Sequence, residues 1–504
     1  MKNAKRMFLL SAVVVVALVL GLAKFASPAK SAAGGSAILV YCAAGIKAPV
    51  QELATQFEQD YGVRVHLQFG GSGTLLSNLQ VSQQGDLYLS ADVSYQEIAR
   101  AKGLVRELVP LAFQKPVIAV HKGNPRQIRG LADLARSDVR VALGNPEAAS
   151  IGKQTQKLLT ASGHWAAVAE NVTQNGVFKP TVPEVANDIS LASVDAGIIW
   201  DATARQYDDI ELIQVPELDL ARKEIMIGVL TQCTQPTHAL RFARYLNSTV
   251  GNAVFAAHHY ETVAGDRWEG EPQMTFFSGT VNRRGIDRAV LDFAEREGVS
   301  MNVIYNGCGL LTGQMRTIRA SEQATGFPDA YMACDRYYLD VVADWFKDDS
   351  NISENRIVIA VPKGNPAKIA TLGDLAKPGV RVALGQPQQC TIGVLTRKLL
   401  EEQGLLDAIT ANVVTETASS ALLVPAIATG HADAAIAYET DTLAEVGKID
   451  SVVIESQLAR AVQPFSISRS SVYQHLSERL RAAIVAHRDD LEAAGFVLQP
   501  GPEK

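Results

Sequence analysis

From residue 37 onward, short apolar runs rich in β-branched residues alternate with longer stretches of mixed polarity. AILVYCA, VRVHLQF, DLYLSAD, PVIAVHK, VRVALG and AGIIW fall in that order between Ala37 and Trp200. Each is too short for a helix and is bounded by turn residues, so each predicts a strand. Segments such as PVQELATQFEQDYG and GKQTQKLLTASG space apolar residues three and four apart, and predict helices packed on one face. Strands alternating with helices argue for α/β lobes built on parallel sheets covered on both faces.

The pattern then runs a second time. PVIAVHKGNP at Pro116 returns as IVIAVPKGNP at Ile357, and LADLARSDVRVALGNPEAASIGKQTQKLL at Leu131 returns as LGDLAKPGVRVALGQPQQCTIGVLTRKLL at Leu372, both 241 residues later. FGGSGTLLSNL at Phe69 and YNGCGLLTGQM at Tyr305 are 236 residues apart, and DAGIIWDATA at Asp195 and DAAIAYETDT at Asp433 are 238 apart. A period this long marks a duplicated domain rather than a solenoid. The expected division is a leader over 1–36, a first unit over 37–270 and a second over 271–504, joined through WEGEPQMTFF (Trp268–Phe277). Each unit is expected to fold as two α/β lobes around a cleft, the chain crossing between lobes near Val117–Pro125 and returning near DAGIIW.

Composition narrows the possibilities. The 504 residues are 47% hydrophobic and 20% charged, enough for a core in every lobe. A net charge of −6, without a long basic run or basic–aromatic interleaving, argues against a nucleic-acid partner. Lys2, Lys5 and Arg6 precede an apolar run, Met7–Ala23, which reads as an export signal. Residues 1–36 are then a signal peptide cleaved near Ser27/Ala29 or Ser31/Ala33, or a retained inner-membrane anchor. Either way the rest of the chain is expected in the periplasm or another extracytoplasmic space.

In open α/β sheets, ligands gather beyond the carboxyl ends of the strands, where helix N-termini present N–H groups and partial positive charge. Four strand–turn–helix junctions of the first unit have this form: CAAGIKAP, FGGSGTLL, NPEAASIGKQ and TVPEVAND. They suit a small anion held by neutral donors. Gly70, Gly71 and Gly73 serve equally well as a tight strand–helix connection.

These segments, in this order in both units, resemble the molybdate-binding proteins of ABC importers, type II periplasmic solute-binding proteins. YCAAGIKAPV is similar to their opening turn, FGGSGTLLSNL to their serine-rich second loop, and DLYLSAD, GNPEAASIG and AGIIW to the segments that follow. The resemblance implies a tetrahedral oxyanion held by two serines, backbone amides and a late tyrosine, and delivery to an ABC permease. Carried over, the first serine falls on Gly45, the second on Ser72, the amides on Ile151 and Val182, and the tyrosine on Trp200. In the second unit the serine positions fall on Thr280 (or Val281) and Cys308, the later ones on Ile392, Ser420 and Tyr438. Neither unit keeps the full hydroxyl set.

There are five cysteines. Cys308, Cys334 and Cys390 all fall at strand ends of the second unit, where the first has Ser72, Ala91 and Ala149. Three thiols around one cleft would suit a thiophilic metal or metalloid. A Cys308–Cys334 disulfide and plain burial remain open. Asp86, Asp92 and Asp335 read as helix caps or lobe contacts, and KGNP as a turn. With no nucleophile–base–orienter set and no P-loop, neither an enzyme nor a cofactor is expected. The expectation is an exported tandem binder of a small oxyanion such as molybdate or tungstate. The alternatives are a thiophilic-metal binder and a membrane-tethered ligand sensor.

Overall fold

The computed structural model describes residues 36–321 and 325–499, so the leader and its apolar run lie outside the described residues. No helix among the described residues is long and apolar enough to cross a membrane. The chain forms two compact bodies. One comprises residues 36–105, 115–223 and 230–238; the other comprises 106–114, 224–229 and 239–499.

In the first body, strand Ala37–Ala43 runs parallel between Arg64–Gly70 and Leu87–Leu89. Helices Lys47–Tyr61 and Ser72–Ser82 connect these strands. A second lobe holds five strands in the order Val177–Lys179, Val141–Gly144, Ala196–Trp200, Pro116–His121, Ile210–Ile213. The first three are mutually parallel, and Pro116–His121 runs against Ala196–Trp200. All five residues of Ala196–Trp200 are buried, as expected of a central strand covered on both faces.

The second body repeats this plan. Gln273–Gly279 lies parallel between Ser300–Asn306 and Ala330–Met332. The strand Phe346–Pro362 is 17 residues long and serves both lobes. Up to Arg356 it pairs with Arg460–Ser468; from Ile357 it pairs with Ala434–Tyr438 and Ile449–Val453. The crossing between lobes is therefore continuous strand at IVIAVP.

Local chemistry recurs with the repeat. Helices Lys47–Tyr61 and Arg283–Glu297 both stop at a left-handed glycine, Gly62 (φ 66°) and Gly298 (φ 63°). In KGNP the asparagine does the work. Asn124 Nδ2 donates to the Ile128 carbonyl and its Oδ1 accepts from Ile128 N–H, at 2.8 and 2.9 Å. Asn365 brackets Ile369 in the same way. Asp92 and Asp335 cap helices by accepting from Ser94 N–H and Tyr337 N–H.

Residues 239–270, assigned to the first unit by the repeat, pack with the second body. A buried ion cluster fastens them. Arg479 grips Glu297 through two bonds of 2.6 and 3.2 Å. Arg244 donates to the Glu297 carbonyl at 2.9 Å. Desolvation, with Arg479 and Arg241 nearby, outweighs the pull of Glu297 and lowers the Arg244 pKa to about 10. Removing one partner of such a pair strands the others in low dielectric. Glu297→Ala should destabilise the second body by about 3–5 kcal/mol, seen as a lowered unfolding transition in thermal or urea melts of the full chain.

Candidate functional site

Three helices of the first body begin around one small cavity. Ser72–Ser82, Ser150–Ala161 and Val182–Ser190 follow Gly71, Ala149 and Thr181, none of which caps its helix with a side chain. The short 3₁₀ turn Ala44–Ile46 closes a fourth side. First-turn N–H groups lack partners within their own helix, so such termini attract anions. The lining includes Gly45, Gly71, Ser72, Ser150, Ile151, Thr181, Val182 and Trp200, with no charged side chain among the thirteen residues present. About 20 Å³ is open to the centre of a water-sized sphere, room for a ligand of a few atoms. Gly45, Ser72, Ile151, Val182 and Trp200, five positions singled out from the sequence, thus meet at one place.

Two neutral donors stand out. Ser72 is buried, and its Oγ accepts from Ala91 N–H at 3.1 Å, leaving its own proton available. Trp200 Nε1–H is buried and makes no hydrogen bond. Ser150 donates to Asp92, a bond that orients its hydroxyl. Sequence reasoning passed over Ser150 in favour of the next residue, Ile151. The signal was present, because the repeat keeps a hydroxyl there as Thr391.

The lobes are shut. Gly73 N–H donates to the Ala148 carbonyl at 2.9 Å. A Cβ at Gly71 would lie 2.4 Å from Ala148 O, and one at Gly73 would lie 2.1 Å from Glu147 O. A Cβ at Gly45 would stand 2.6 Å from Val182 Cγ1. The space for the resemblance's first serine is thus taken by Val182.

The second cleft keeps the backbone and changes the side chains. Gly309 N–H donates to the Gln389 carbonyl at 3.1 Å, the counterpart of the Gly73 contact. Cys308 Sγ accepts from Cys334 N–H at 3.1 Å, as Ser72 Oγ does from Ala91. The Cys308 and Cys334 sulfurs are 2.6 Å apart. Burial opposes ionisation of Cys308, but donors from Cys334, with Tyr331 and Thr391 close by, outweigh it and hold this thiol below its ordinary pKa. Its hydrogen bond to Cys308, together with burial, drives Cys334 well above. The hydroxyls of Tyr331, Thr391 and Tyr438 are buried and make no hydrogen bond of standard geometry.

Two expectations are corrected here. Cys390 does not complete a three-sulfur site. Its Sγ turns to the carbonyls of Gln386 and Thr417, at 3.6 and 3.5 Å. Among the described residues no group of three His, Cys, Asp or Glu is placed to hold a metal. Thr280 is not the serine-equivalent position either. The strands Ala37–Ala43 and Gln273–Gly279 and the turns after them match residue for residue, so Thr280 answers to Ala44 and Val281 to Gly45. Ile392 is buried in the first turn of helix Thr391–Glu402, and Ser420 is buried in the turn before Leu423–Ala428.

Asp441 was not foreseen. It occupies the position of Thr203, the residue whose Oγ1 lies nearest Gly45 after Val182. Desolvation raises its carboxyl to about 6, against the pull of Ser420 and Arg284, and its Oδ2 is sealed without a partner. Nothing in the periodicity marks a carboxyl that must be buried.

Shut lobes and uncapped helix ends around a small uncharged cavity are the features of a ligand-binding cleft. A family model described as bacterial extracellular solute-binding protein matches residues 38–261 and again 275–497. The chain belongs to that family, with the domain present twice. A Haemophilus influenzae chain named only as a binding protein is 26% identical over 219 residues, 43% of this chain and 88% of its own length. The molybdate-binding protein ModA of Mycobacterium bovis is 27% identical over 232 residues, 45% of this chain and 85% of its own. Among solved structures, the periplasmic molybdate-binding protein of Azotobacter vinelandii is 17% identical, with 45% and 100% coverage and a TM-score of 0.39.

Two outcomes are expected. Gly279→Ala would bring a methyl group 2.1 Å from Cys334 Sγ, an overpacking that costs about 1–3 kcal/mol. Adding Cys334→Ala, which restores the first unit's Ala43/Ala91 pair, should recover most of that loss in a thermal melt. Asp441 is the second case. A carboxyl at about 6 against an ordinary 3.8 favours the fold only while protonated. Its contribution is intact below about pH 4 and is lost as pH rises through 6. Asp441→Asn should therefore match the parent near pH 4 and exceed it by up to about 3 kcal/mol at pH 7, measured by urea unfolding at the two pH values.

Proposed function

We propose that the first cleft captures a small oxyanion of the molybdate or tungstate kind and that the protein hands it to an ABC permease. The observation that carries this reading is the uncharged cavity where three uncapped helix N-termini meet Ser72 Oγ–H and an unpartnered Trp200 Nε1–H. Neutral donors converging in a dry pocket stabilise an anion without a counter-charge. The molybdate-binding relatives support the choice of ligand and the transport role. Ser72, Ile151, Val182 and Trp200 are the binding residues in this reading, and Gly45 contributes backbone alone. The leader, over residues 1–36, is an export signal in the same reading. The second cleft does not share the ligand. Val281 puts an apolar side chain at the position of Gly45, and Asp441 adds a buried carboxyl that repels an anion once ionised.

Calorimetric titration of the reduced full chain with molybdate tests this. One equivalent should bind per chain. Ser72→Ala should weaken binding about 10- to 100-fold, the worth of one hydrogen bond to a charged group. Gly45→Ser should weaken it too, because its Cβ meets Val182, and Val182→Ala should relieve that effect. Absence of heat at several temperatures, with molybdate and with tungstate, would sink the reading.

A further inference from the structure

The sulfur pair of the second cleft has no part in that reading. Three replacements make it fit. Cys308 stands for Ser72, Cys334 for Ala91 and Gly279 for Ala43. A Cβ at residue 279 would stand 2.1 Å from Cys334 Sγ and 3.0 Å from Cys308 Sγ. The methyl group given up at one position is the room the sulfurs occupy, so the cleft is packed around two thiols together. The sulfurs lie 2.6 Å apart, both buried. Cys308 opens the helix Cys308–Ala320 and accepts an N–H from Cys334, two features that favour a thiolate. The buried hydroxyls of Tyr331 and Thr391 stand close to Cys308 Sγ and favour its thiolate. Cys390, turned to the carbonyls of Gln386 and Thr417, is outside the pair.

We propose that Cys308 and Cys334 form a reversible dithiol–disulfide couple whose substrate is a low-molecular-mass disulfide. The Cys308 thiolate attacks one sulfur of the small disulfide, forming a mixed disulfide and releasing one thiolate. Cys334 gives up its proton and attacks Cys308 Sγ. The protein disulfide forms, the second small thiolate leaves, and the two released thiolates end as thiols. Two protein thiols are oxidised and one small disulfide is reduced to two thiols. In the shut unit the pair is sealed, since Gly307 and Gly309 lie against the backbone of Gln389 and Gln388. Exchange therefore proceeds only while the lobes part. Oxidation also replaces the Cys308 thiolate by a neutral disulfide sulfur at the place where the first cleft has its Ser72 hydroxyl, so the couple sets the charge of the second cleft there.

The full chain is equilibrated in glutathione buffers of graded ratio, starting both from reduced and from oxidised protein. Free thiols are trapped by alkylation and counted by mass spectrometry. All five cysteines should be alkylated at the reducing end. Two should be lost together at the oxidising end, with one cross-linked peptide pair carrying residues 308 and 334. The curves from the two directions should meet. Cys390→Ala should leave the transition in place, and Cys334→Ala should abolish the cross-link. Five alkylated thiols throughout, a cross-link through Cys390, or two curves that never meet would each overturn the proposal.

Discussion

Everything at the two clefts depends on a backbone-to-backbone approach. In each unit the loop that begins one helix comes so near the other lobe that a carbonyl oxygen sits where a Cβ would be. Gly71 and Gly73 meet Ala148 and Glu147; Gly307 and Gly309 meet Gln389 and Gln388. None of these four glycines has positive φ, so turn conformation is not what requires them. Contact between lobes is. A tight strand–helix connection accounts for Gly70, whose Cβ would press on Leu75 of the helix that follows, and not for Gly71 and Gly73.

With that approach fixed, the duplicate could change side chains without moving the frame. The amide of residue 91 and the amide of residue 334 make the same 3.1 Å bond, one to a hydroxyl and one to a sulfur. Around that shared bond the two clefts part. One is lined by neutral donors. The other holds sulfurs, an orphan phenol at Tyr438 where the first has the indole of Trp200, and a buried carboxyl at Asp441.

Much of this was legible in the sequence, for a physical reason. Strand period, helix spacing and turn residues are local properties, and duplication printed each of them twice. The order of elements, the asparagine turns, the aspartate caps and the five positions around the first cavity all follow from local pattern or from the resemblance it carries. What escaped is what only packing decides. Gly279 makes sense once Cys334 is seen against it. The direction of Cys390 Sγ depends on a rotamer. Asp441 lies in a segment whose periodicity is that of an ordinary helix start. The choice between Thr280 and Val281 could have been made, since the 236-residue offset holds unbroken from the first strand through the glycine turn.

The repeat boundary at residue 270 is a boundary of ancestry and not of packing. Residues 106–114, 224–229 and 239–270 descend from the first copy and fold with the body of the second. Arg244, inherited with one copy, is held by Glu297 from the other. The halves have therefore lost their modularity. A gene cut at the duplication joint would yield one fragment whose segments 106–114, 224–229 and 239–270 lose the body they fold with and another lacking the helix that Glu297 secures, so the two copies must now be inherited and retained as one chain.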